Sequence, residues 1–140
     1  MTVLVDSCVV TDLADPQSAW YEWSAKTLEK LDREHRLVIN PIIYAECSIA
    51  YERIEEVEAL FEHLAFAVQP LPKEALFLAG KAFLRYRRQQ GRKSGVLPDL
   101  FIGAHAAVAG YRLLTRDRGR FASYFPSVEL IRPEKGYGVN

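Results

Sequence analysis

The side chains best suited to chemistry in this sequence are four carboxylates, Asp6, Glu46, Asp99 and Asp117. Their oxygens are hard ligands, and no spacing of Cys or His suggests a softer metal, so the set suits Mg²⁺ or Mn²⁺. No lysine or arginine adjoins Asp6, Glu46 or Asp99 in the sequence. Carboxylates that converge without such a partner repel one another unless a cation lies between them. The four acids therefore predict a divalent-metal site that keeps open positions for a phosphate.

Each acid taken alone also has an ordinary structural role. Asp99 lies in the first turn of a predicted helix, where the helix dipole favours a negative charge. Asp6 and Asp117 follow predicted strands, where aspartate is frequent as a cap or a turn residue. The functional interpretation depends on all four acids reaching one place, and that depends on the elements that carry them.

Five short runs rich in apolar and β-branched residues predict strands. Three are predicted as buried strands and two are weaker candidates: residues 2–5, 36–39 and 112–115, and then 66–71 and 128–131. In an open sheet of parallel strands, ligands bind beyond the carboxyl ends of the strands. Asp6 and Asp117 follow the first and third buried runs, and Glu46 lies in the helix after the second. This edge of the sheet is where we expect the acids to meet.

Segments with apolar residues three and four positions apart lie between the strands and predict helices. Asn40-Pro41 and Leu97-Pro98-Asp99 are typical helix starts, and the helix that begins at the second of them is expected to end at Gly110. The pattern from Ile43 to Leu64 fits either one long helix or two consecutive helices. Alternation of strands and helices predicts a single α/β domain over residues 1–140 with a mainly parallel sheet.

The composition is that of a folded domain. With 49% hydrophobic and 26% charged residues, the chain is not of the disordered class. The 18 basic and 18 acidic residues cancel, so net charge gives no argument for nucleic acid. The charges are nevertheless unevenly placed, with an acidic stretch from Glu46 to Glu62 and a basic one from Arg85 to Lys93. Only two cysteines, no basic leader and no long apolar run predict a cytoplasmic protein with reduced thiols and no membrane segment.

Four segments together carry a resemblance to a known family. They are Val5-Asp6-Ser7 with Leu13, Ala45-Glu46, Leu97-Pro98-Asp99-Leu-Phe-Ile-Gly-Ala-His-Ala106, and Leu114-Thr115-Arg116-Asp117 with Phe121. The third segment is the most specific, because a Pro-Asp helix start runs into Ile-Gly-Ala-His-Ala. These segments are spread along the sequence, and the resemblance covers the whole chain. It is to the PIN-domain ribonucleases, and among them to the VapC toxins of prokaryotic toxin–antitoxin pairs. The resemblance implies a three-layer α/β fold with helices on both sides of the sheet.

The resemblance also implies a metal-dependent endoribonuclease that hydrolyses RNA phosphodiester bonds. It assigns the catalytic acids Asp6, Glu46, Asp99 and Asp117, places Mg²⁺ or Mn²⁺ on Asp6, Asp99 and Asp117, and assigns supporting hydroxyls to Ser7 and Thr115. The implied partners are an RNA substrate, a cognate antitoxin whose peptide lies across the site, and a second copy of the chain in a homodimer. Many members have Asn or Ser where this chain has Cys8, so a polar contact is expected to be missing there.

Two groups of basic residues are candidates for contacts to a phosphate backbone. We favour Arg116, Arg118 and Arg120 as RNA-binding side chains, because they flank Asp117 in the sequence. The other group, at positions 85–93, is interpreted mainly as the solvated face of a helix.

Several other polar residues are given structural roles. His105 comes six positions after Asp99, so it points to another side of the helix and is expected to pack in the core instead of acting as a base. Asp12 and Asp15 are predicted to cap helices. Both cysteines are expected to be buried fillers, because free cysteine behaves mostly as a small hydrophobic residue.

The alternative function is a non-cleaving module of the same fold that binds RNA or a partner protein. A phosphatase with a strand-end aspartate nucleophile usually has a second aspartate two positions on, where this chain has Cys8. A phosphoacceptor receiver domain has an acidic pair after its first strand and a lysine after a late one, and both are missing here. Cleavage of RNA with added metal distinguishes the nuclease from the binding module.

Overall fold

The computed structural model of the protein describes residues 1–89, 91, 94–117 and 119–134. Within these residues a sheet of five parallel strands forms the centre, in the order β3-β2-β1-β4-β5. The strands are β1 (Thr2–Val5), β2 (Arg36–Ile39), β3 (Ala67–Val68), β4 (Arg112–Leu114) and β5 (Leu130–Ile131). The three strands predicted as buried are therefore confirmed at the centre, and the two weaker candidates form edges shorter than predicted.

The order of the strands changes direction at β1. From β1 the chain adds β2 and β3 on one side, and it then crosses back to add β4 and β5 on the other. Val5 pairs with Leu114 at the carboxyl ends of β1 and β4, and the Asp6 amide donates to the Leu114 carbonyl at 2.9 Å. Strands whose connections leave in opposite directions open a crevice at their carboxyl ends. Asp6 and Asp117 leave the sheet at this crevice.

Seven α-helices pack around the sheet in the described part of the chain. They are α1 (Ser7–Leu13), α2 (Tyr21–Asp32), α3 (Pro41–Ser48), α4 (Ile54–Leu64), α5 (Lys73–Arg88), α6 (Leu97–Ala109) and α7 (Arg120–Tyr124), with a short 3₁₀ turn at Ser94–Val96. α1 packs against α2 and α3, whereas α5 packs along α6. Right-handed crossovers place the connections through α1–α4 on one face and those through α5–α7 on the other. The predicted three-layer α/β arrangement is confirmed.

Local signals in the sequence explain several helix ends. Asn40 caps α3, since its Oδ1 accepts the Ile43 amide at 2.9 Å. Gly110 ends α6 with a left-handed φ of 72°, a conformation that glycine adopts without strain. The apolar pattern from Ile43 to Leu64 forms two helices, α3 and α4, separated by residues 49–53. None of the helices in the described ranges is long and apolar enough to cross a bilayer.

The predicted capping roles of Asp12 and Asp15 are wrong. The residue that caps α1 is Asp6, and α2 begins after Trp20 without a side-chain cap. Asp12 lies inside the last turn of α1, and Asp15 accepts the Gln17 amide in the turn that follows. Asp12 has a different partner, which is described below.

α6 is buried on most of its surface, as its apolar sequence predicts. His105 is only 2% exposed, so its predicted place in the core is confirmed. Gly103 faces α7 closely: a Cβ atom added there would lie 2.3 Å from Cδ2 of Phe125 and 3.1 Å from Cδ1 of Phe121. The glycine of the Ile-Gly-Ala-His-Ala segment therefore allows α7 to pack against α6.

Candidate active site

Asp6 is the most enclosed of the four acids and the N-cap of α1. Its Oδ1 accepts the Ser7 amide at 2.8 Å, and its Oδ2 accepts the Thr115 hydroxyl at 2.7 Å. Burial raises the pKa of Asp6 and the charge of Asp99 raises it further, whereas hydrogen bonds from Thr115, Ser7 and Cys8 lower it. The net pKa lies above the ordinary value for aspartate.

Glu46 reaches the same region from α3. Its Oε1 accepts the Ser7 hydroxyl at 2.9 Å, so Ser7 connects Asp6 and Glu46 through its amide and its hydroxyl. Burial raises the pKa of Glu46, and the charges of Asp6 and Asp99 add to that rise against the hydrogen bond from Ser7. Glu46 is thus electrostatically coupled to two other acids of the set.

Thr115 joins Asp6 to the segment after β4. This fully buried hydroxyl donates to Asp6 and accepts the Asp117 amide at 3.0 Å. The Asp117 carboxylate accepts the amides of Gly119 and Phe121, both at 3.2 Å, where α7 begins. Asp117 is therefore a turn residue, as considered from the sequence. Its side chain also lines a surface cleft that Asp6 shares.

Asp99, in the first turn of α6, forms an ion pair with Arg120, the first residue of α7. The two side chains are 27% and 34% exposed. Burial raises the pKa of Asp99 and the charge of Asp117 raises it further, whereas Arg120 lowers it. Arg120 comes 21 positions after Asp99, so adjacency in the sequence gave no sign of this pair. A cation does lie among the acids, and the chain itself supplies it.

One open cleft of about 290 Å³ is lined by three of the four acids, whereas Glu46 is not part of its lining. The lining consists of Asp6, Ser7, Cys8, Asp99, Arg116, Asp117 and Phe121. As the side chains stand, the described residues contain no group of three or more Asp, Glu, His or Cys close enough to bind one metal ion. The donors around the cleft are mainly carboxylate and hydroxyl oxygens, and their chemistry fits Mg²⁺ or Mn²⁺. The raised pKa values of Asp6 and Asp99 likewise mark a place that gains from added positive charge.

Cys8 is not the buried filler that the sequence predicts. Its thiol lines the cleft, donates to Oδ2 of Asp6 at 3.6 Å and lies 3.9 Å from Oγ1 of Thr115. Burial, with the charge of Asp6, raises the pKa of Cys8 to about 12, so the thiol keeps its proton. The polar contact expected to be missing is therefore made by sulfur. Cys47 is fully buried, as predicted.

The three predicted RNA-binding arginines have different surroundings. Arg116 is bound to Asp12 through two hydrogen bonds, Nε to Oδ2 at 2.8 Å and Nη2 to Oδ1 at 3.1 Å. Arg120 is bound to Asp99. Arg118 lies outside the described residues. Their RNA-binding role stays a prediction. Sequence reasoning missed the partner of Arg116 because the two residues are 104 positions apart.

His105 contributes no base to the cleft. Its Nδ1 lies 3.1 Å from Nδ2 of Asn40, whose Oδ1 is already occupied by the Ile43 amide. The Asn40 amide nitrogen therefore donates and the histidine nitrogen accepts, which requires a neutral ring with its proton on Nε2. Burial lowers the pKa of His105 and favours the same neutral state.

Comparison with known proteins gives one family match. The model of the PIN domain matches residues 3–124. No curated protein matches the chain in sequence. Solved structures similar to the chain include VapBC2 from Rickettsia felis bound to a DNA fragment of its promoter, with a TM-score of 0.74 at 15% identity over 96% of this chain and 100% of that one.

Two further structures show the same likeness. VapBC-1 from nontypeable Haemophilus influenzae has a TM-score of 0.69 at 18% identity, over 94% of this chain and 98% of that one. A toxin–antitoxin complex from Klebsiella pneumoniae has a TM-score of 0.66 at 20% identity, over 94% of this chain and 97% of that one. At identities this low, the TM-scores show a shared fold and nothing more. The family model spans most of the chain and includes all four acids, and the chain therefore belongs to the PIN domain family.

Proposed function

We propose that the protein is a metal-dependent endoribonuclease that acts as the toxin of a toxin–antitoxin pair. The observation that carries this proposal is the meeting of Asp6, Asp99 and Asp117 around one open cleft, with Glu46 linked to Asp6 through Ser7. These acids come from the N-cap of α1, from α3, from α6 and from the segment after β4, so only the fold brings them together. Membership of the PIN domain family supports the same chemistry.

Mg²⁺ or Mn²⁺ would be held by Asp6, Asp99 and Asp117, and would lower the pKa of a bound water and neutralise charge on the phosphate. Thr115 and Ser7 fix the carboxylate of Asp6 by donating to its two oxygens. Arg120 and a cation held by Asp99 would share one carboxylate, and their charges would repel each other. Arg118 and Arg120 follow Asp117 in the sequence and are the proposed contacts for the RNA backbone.

The solved structures named above are described as VapBC and toxin–antitoxin complexes, one of them with promoter DNA. On the basis of this structural likeness and of the resemblance in sequence, we propose two binding partners for this protein. The first is a cognate antitoxin with a segment that covers the cleft, and the second is another copy of the chain. Sedimentation of the purified protein, alone and mixed with its antitoxin, measures both assemblies.

The experiment that tests the nuclease is cleavage of a structured RNA by the full chain. We expect EDTA to abolish cleavage and Mg²⁺ or Mn²⁺ to restore it. Asp6→Asn, Asp99→Asn and Asp117→Asn should each remove most activity, whereas Asp32→Asn, an exposed aspartate of α2, should cleave like the wild type. Cleavage that persists in excess chelator contradicts the metal requirement. RNA binding without cleavage at any metal concentration identifies the alternative, a binding module of the same fold.

The toxin role has its own test. Induced expression of the wild type should arrest growth of the host cell, and co-expression of the antitoxin should relieve the arrest. Asp99→Asn, expressed to the same level, should not arrest growth. If Asp99→Asn arrests growth as strongly as the wild type, the toxicity does not depend on the carboxylates of the cleft.

A further inference from the structure

Asp12 is a buried carboxylate that does not line the cleft. It lies in the last turn of α1 and is only 4% exposed. Two hydroxyls donate to it, Ser18 to Oδ1 at 3.0 Å and Ser24 to Oδ2 at 2.9 Å. A carboxylate this enclosed is unfavourable unless hydrogen bonds and a positive partner compensate its charge.

Arg116 is that positive partner. Its two hydrogen bonds, at 2.8 and 3.1 Å, reach both oxygens of Asp12, and its guanidinium carbon lies 5.3 Å from the centre of the Trp20 ring. A bidentate bond fixes the direction of a guanidinium as well as its distance. Turning Arg116 toward an RNA phosphate would leave Asp12 buried and unpaired, which is strongly unfavourable.

This ion pair is the second of two places at which α1 contacts the segment after β4. At the first, Thr115 donates to Asp6, the N-cap of α1, at 2.7 Å and lies 3.9 Å from the Cys8 thiol. The second joins Asp12, in the last turn, to Arg116, the residue that follows Thr115 and precedes Asp117. One contact leaves a segment able to turn about it, whereas contacts at both ends of a helix fix its orientation. The position of Asp117 relative to Asp6 therefore depends on Arg116.

We propose that the Asp12–Arg116 pair positions the acids of the cleft, and that Arg116 is a positioning residue for Thr115 and Asp117, not a ligand of the RNA backbone. Its kinetic consequences rest on the proposed nuclease function. A buried ion pair adds little stability compared with apolar side chains of the same size, so its contribution here is fixed geometry. Loosening the pair should lower turnover and metal affinity and leave RNA binding unchanged.

The test compares Arg116→Lys with Arg33→Lys in the full chain. The first keeps the charge but loses the bidentate bond, and the second is a matched control in an exposed pair with Glu29. We expect Arg116→Lys to lower kcat on RNA roughly tenfold or more. KM, and the salt dependence of RNA binding, should match the wild type, while calorimetry shows weaker Mn²⁺ binding. Ser24→Ala, which removes one donor to Asp12, should show a smaller loss of kcat in the same direction.

Amide hydrogen exchange of Asp117, followed by NMR, reads the geometry without RNA or metal, because this amide donates to Thr115. It should be faster in Arg116→Lys than in the wild type or Arg33→Lys. Unchanged exchange with unchanged kcat overturns the proposal, and so does a raised KM with unchanged exchange, because that result would mark a contact of Arg116 to RNA and no effect on the position of Asp117. If the wild type neither cleaves RNA nor binds Mn²⁺, the proposed function fails, and the exchange of Asp117 alone decides whether Arg116 positions it.

Discussion

Arg120 donates a hydrogen bond to Asp99 across the gap between the starts of α7 and α6. The sequence suggested acids that repel one another unless a cation lies between them, and this guanidinium supplies positive charge at Asp99. A divalent cation held by Asp99 would share this carboxylate with Arg120, and the two positive charges would repel each other. Metal and Arg120 would therefore compete for one carboxylate.

Arg120→Gln removes this competitor, so we expect the variant to bind Mn²⁺ more tightly than the wild type. The gain should be roughly two- to fivefold, which corresponds to the ~0.5–1 kcal/mol of a partly exposed ion pair. Titration calorimetry measures it. Arg33→Gln, which removes the exposed guanidinium paired with Glu29, is the control and should leave Mn²⁺ affinity unchanged. Weaker binding by Arg120→Gln would show that Arg120 supports the metal site instead of competing for it.

Asp99→Asn should raise the melting temperature of the metal-free protein at neutral pH. The pKa of Asp99 is raised because burial and the charge of Asp117 outweigh Arg120, so the ionised side chain costs the folded state stability. Mn²⁺ at a hundredfold excess over its Kd should stabilise the wild type by about 2.7 kcal/mol and the variant by less. If the variant is less stable than the wild type in chelator and is stabilised by metal to the same extent, Asp99 only provides a favourable charge in the first turn of α6 and is not part of a metal site.

The same pKa shift fixes the sign of the pH dependence. Between the unfolded pKa, about 3.9, and the raised folded pKa, the folded state holds the proton more tightly than the unfolded state. Stability from this group is therefore present at acid pH and lost as the pH rises through the folded pKa. The advantage of Asp99→Asn over the wild type in EDTA should shrink as the pH falls toward 4.

His105 contributes to the pH dependence of folding stability with the opposite sign. Its folded pKa is lowered, so the unfolded state takes up a proton first as the pH falls below about 6.5, and the folded state loses stability. Protonation would also place an N–H against the amide nitrogen of Asn40. His105→Gln should remove this loss between pH 7 and 5 in denaturant melts, and the folded variant should still cleave RNA. A folded variant without activity would give His105 a role in catalysis.

Thr115→Val keeps the shape of the side chain and removes its hydroxyl. Asp6 loses a donor that lowers its pKa and the Asp117 amide loses its acceptor, so we expect a loss of roughly 1–3 kcal/mol in unfolding free energy. The loss should be larger at neutral pH than at acid pH, because protonation of Asp6 removes the charge that this hydroxyl stabilises. Thr11→Val, at an exposed hydroxyl of α1 that donates to the Cys8 carbonyl, is the matched control. Equal losses at both pH values would show that the hydroxyl does not affect the charge of Asp6.

Gly103→Ala should destabilise the protein by about 1–3 kcal/mol, because the added methyl group overlaps the ring of the buried Phe125. The control is Gly80→Ala in α5, where no atom lies within 4 Å of the new Cβ. That change should stabilise by roughly 0.5–1 kcal/mol, since alanine favours the helix. Chemical denaturation of both variants measures the difference. Similar effects of the two substitutions would show that α7 adjusts freely to α6.

The sequence predicted those elements whose signals are local. β1, β2 and β4 are short apolar runs, and α6 has a proline at its start and Gly110 at its end. α7 has no such pattern in its five residues and was not predicted. Its start is organised by the Asp117 carboxylate, and the close approach at Gly103 lets it pack on α6. Periodicity also failed to divide α3 from α4, because Ala50 continues the spacing of apolar residues and is nevertheless exposed between the two helices.

At the candidate site, the acids were found from their positions after strands and at helix starts, but their cations were not. Arg120 and Arg116 meet Asp99 and Asp12 only in the folded chain, over separations of 21 and 104 residues. Side-chain type and position in the sequence therefore predicted that Asp6, Asp99 and Asp117 lie around one cleft. The pairing that sets its charge balance depends on tertiary packing, which no local pattern reports.

The pairing of β1 with β4 also determines when the cleft can exist during synthesis. The hydrogen bond from Thr115 to Asp6 spans 109 residues, and Asp99 and Asp117 likewise enter the chain late. A nascent polypeptide that still lacks residues 99–117 has Asp6 and Glu46 but neither of the other two acids. The cleft can therefore assemble only after the whole stretch from Asp6 to Asp117 has been synthesised.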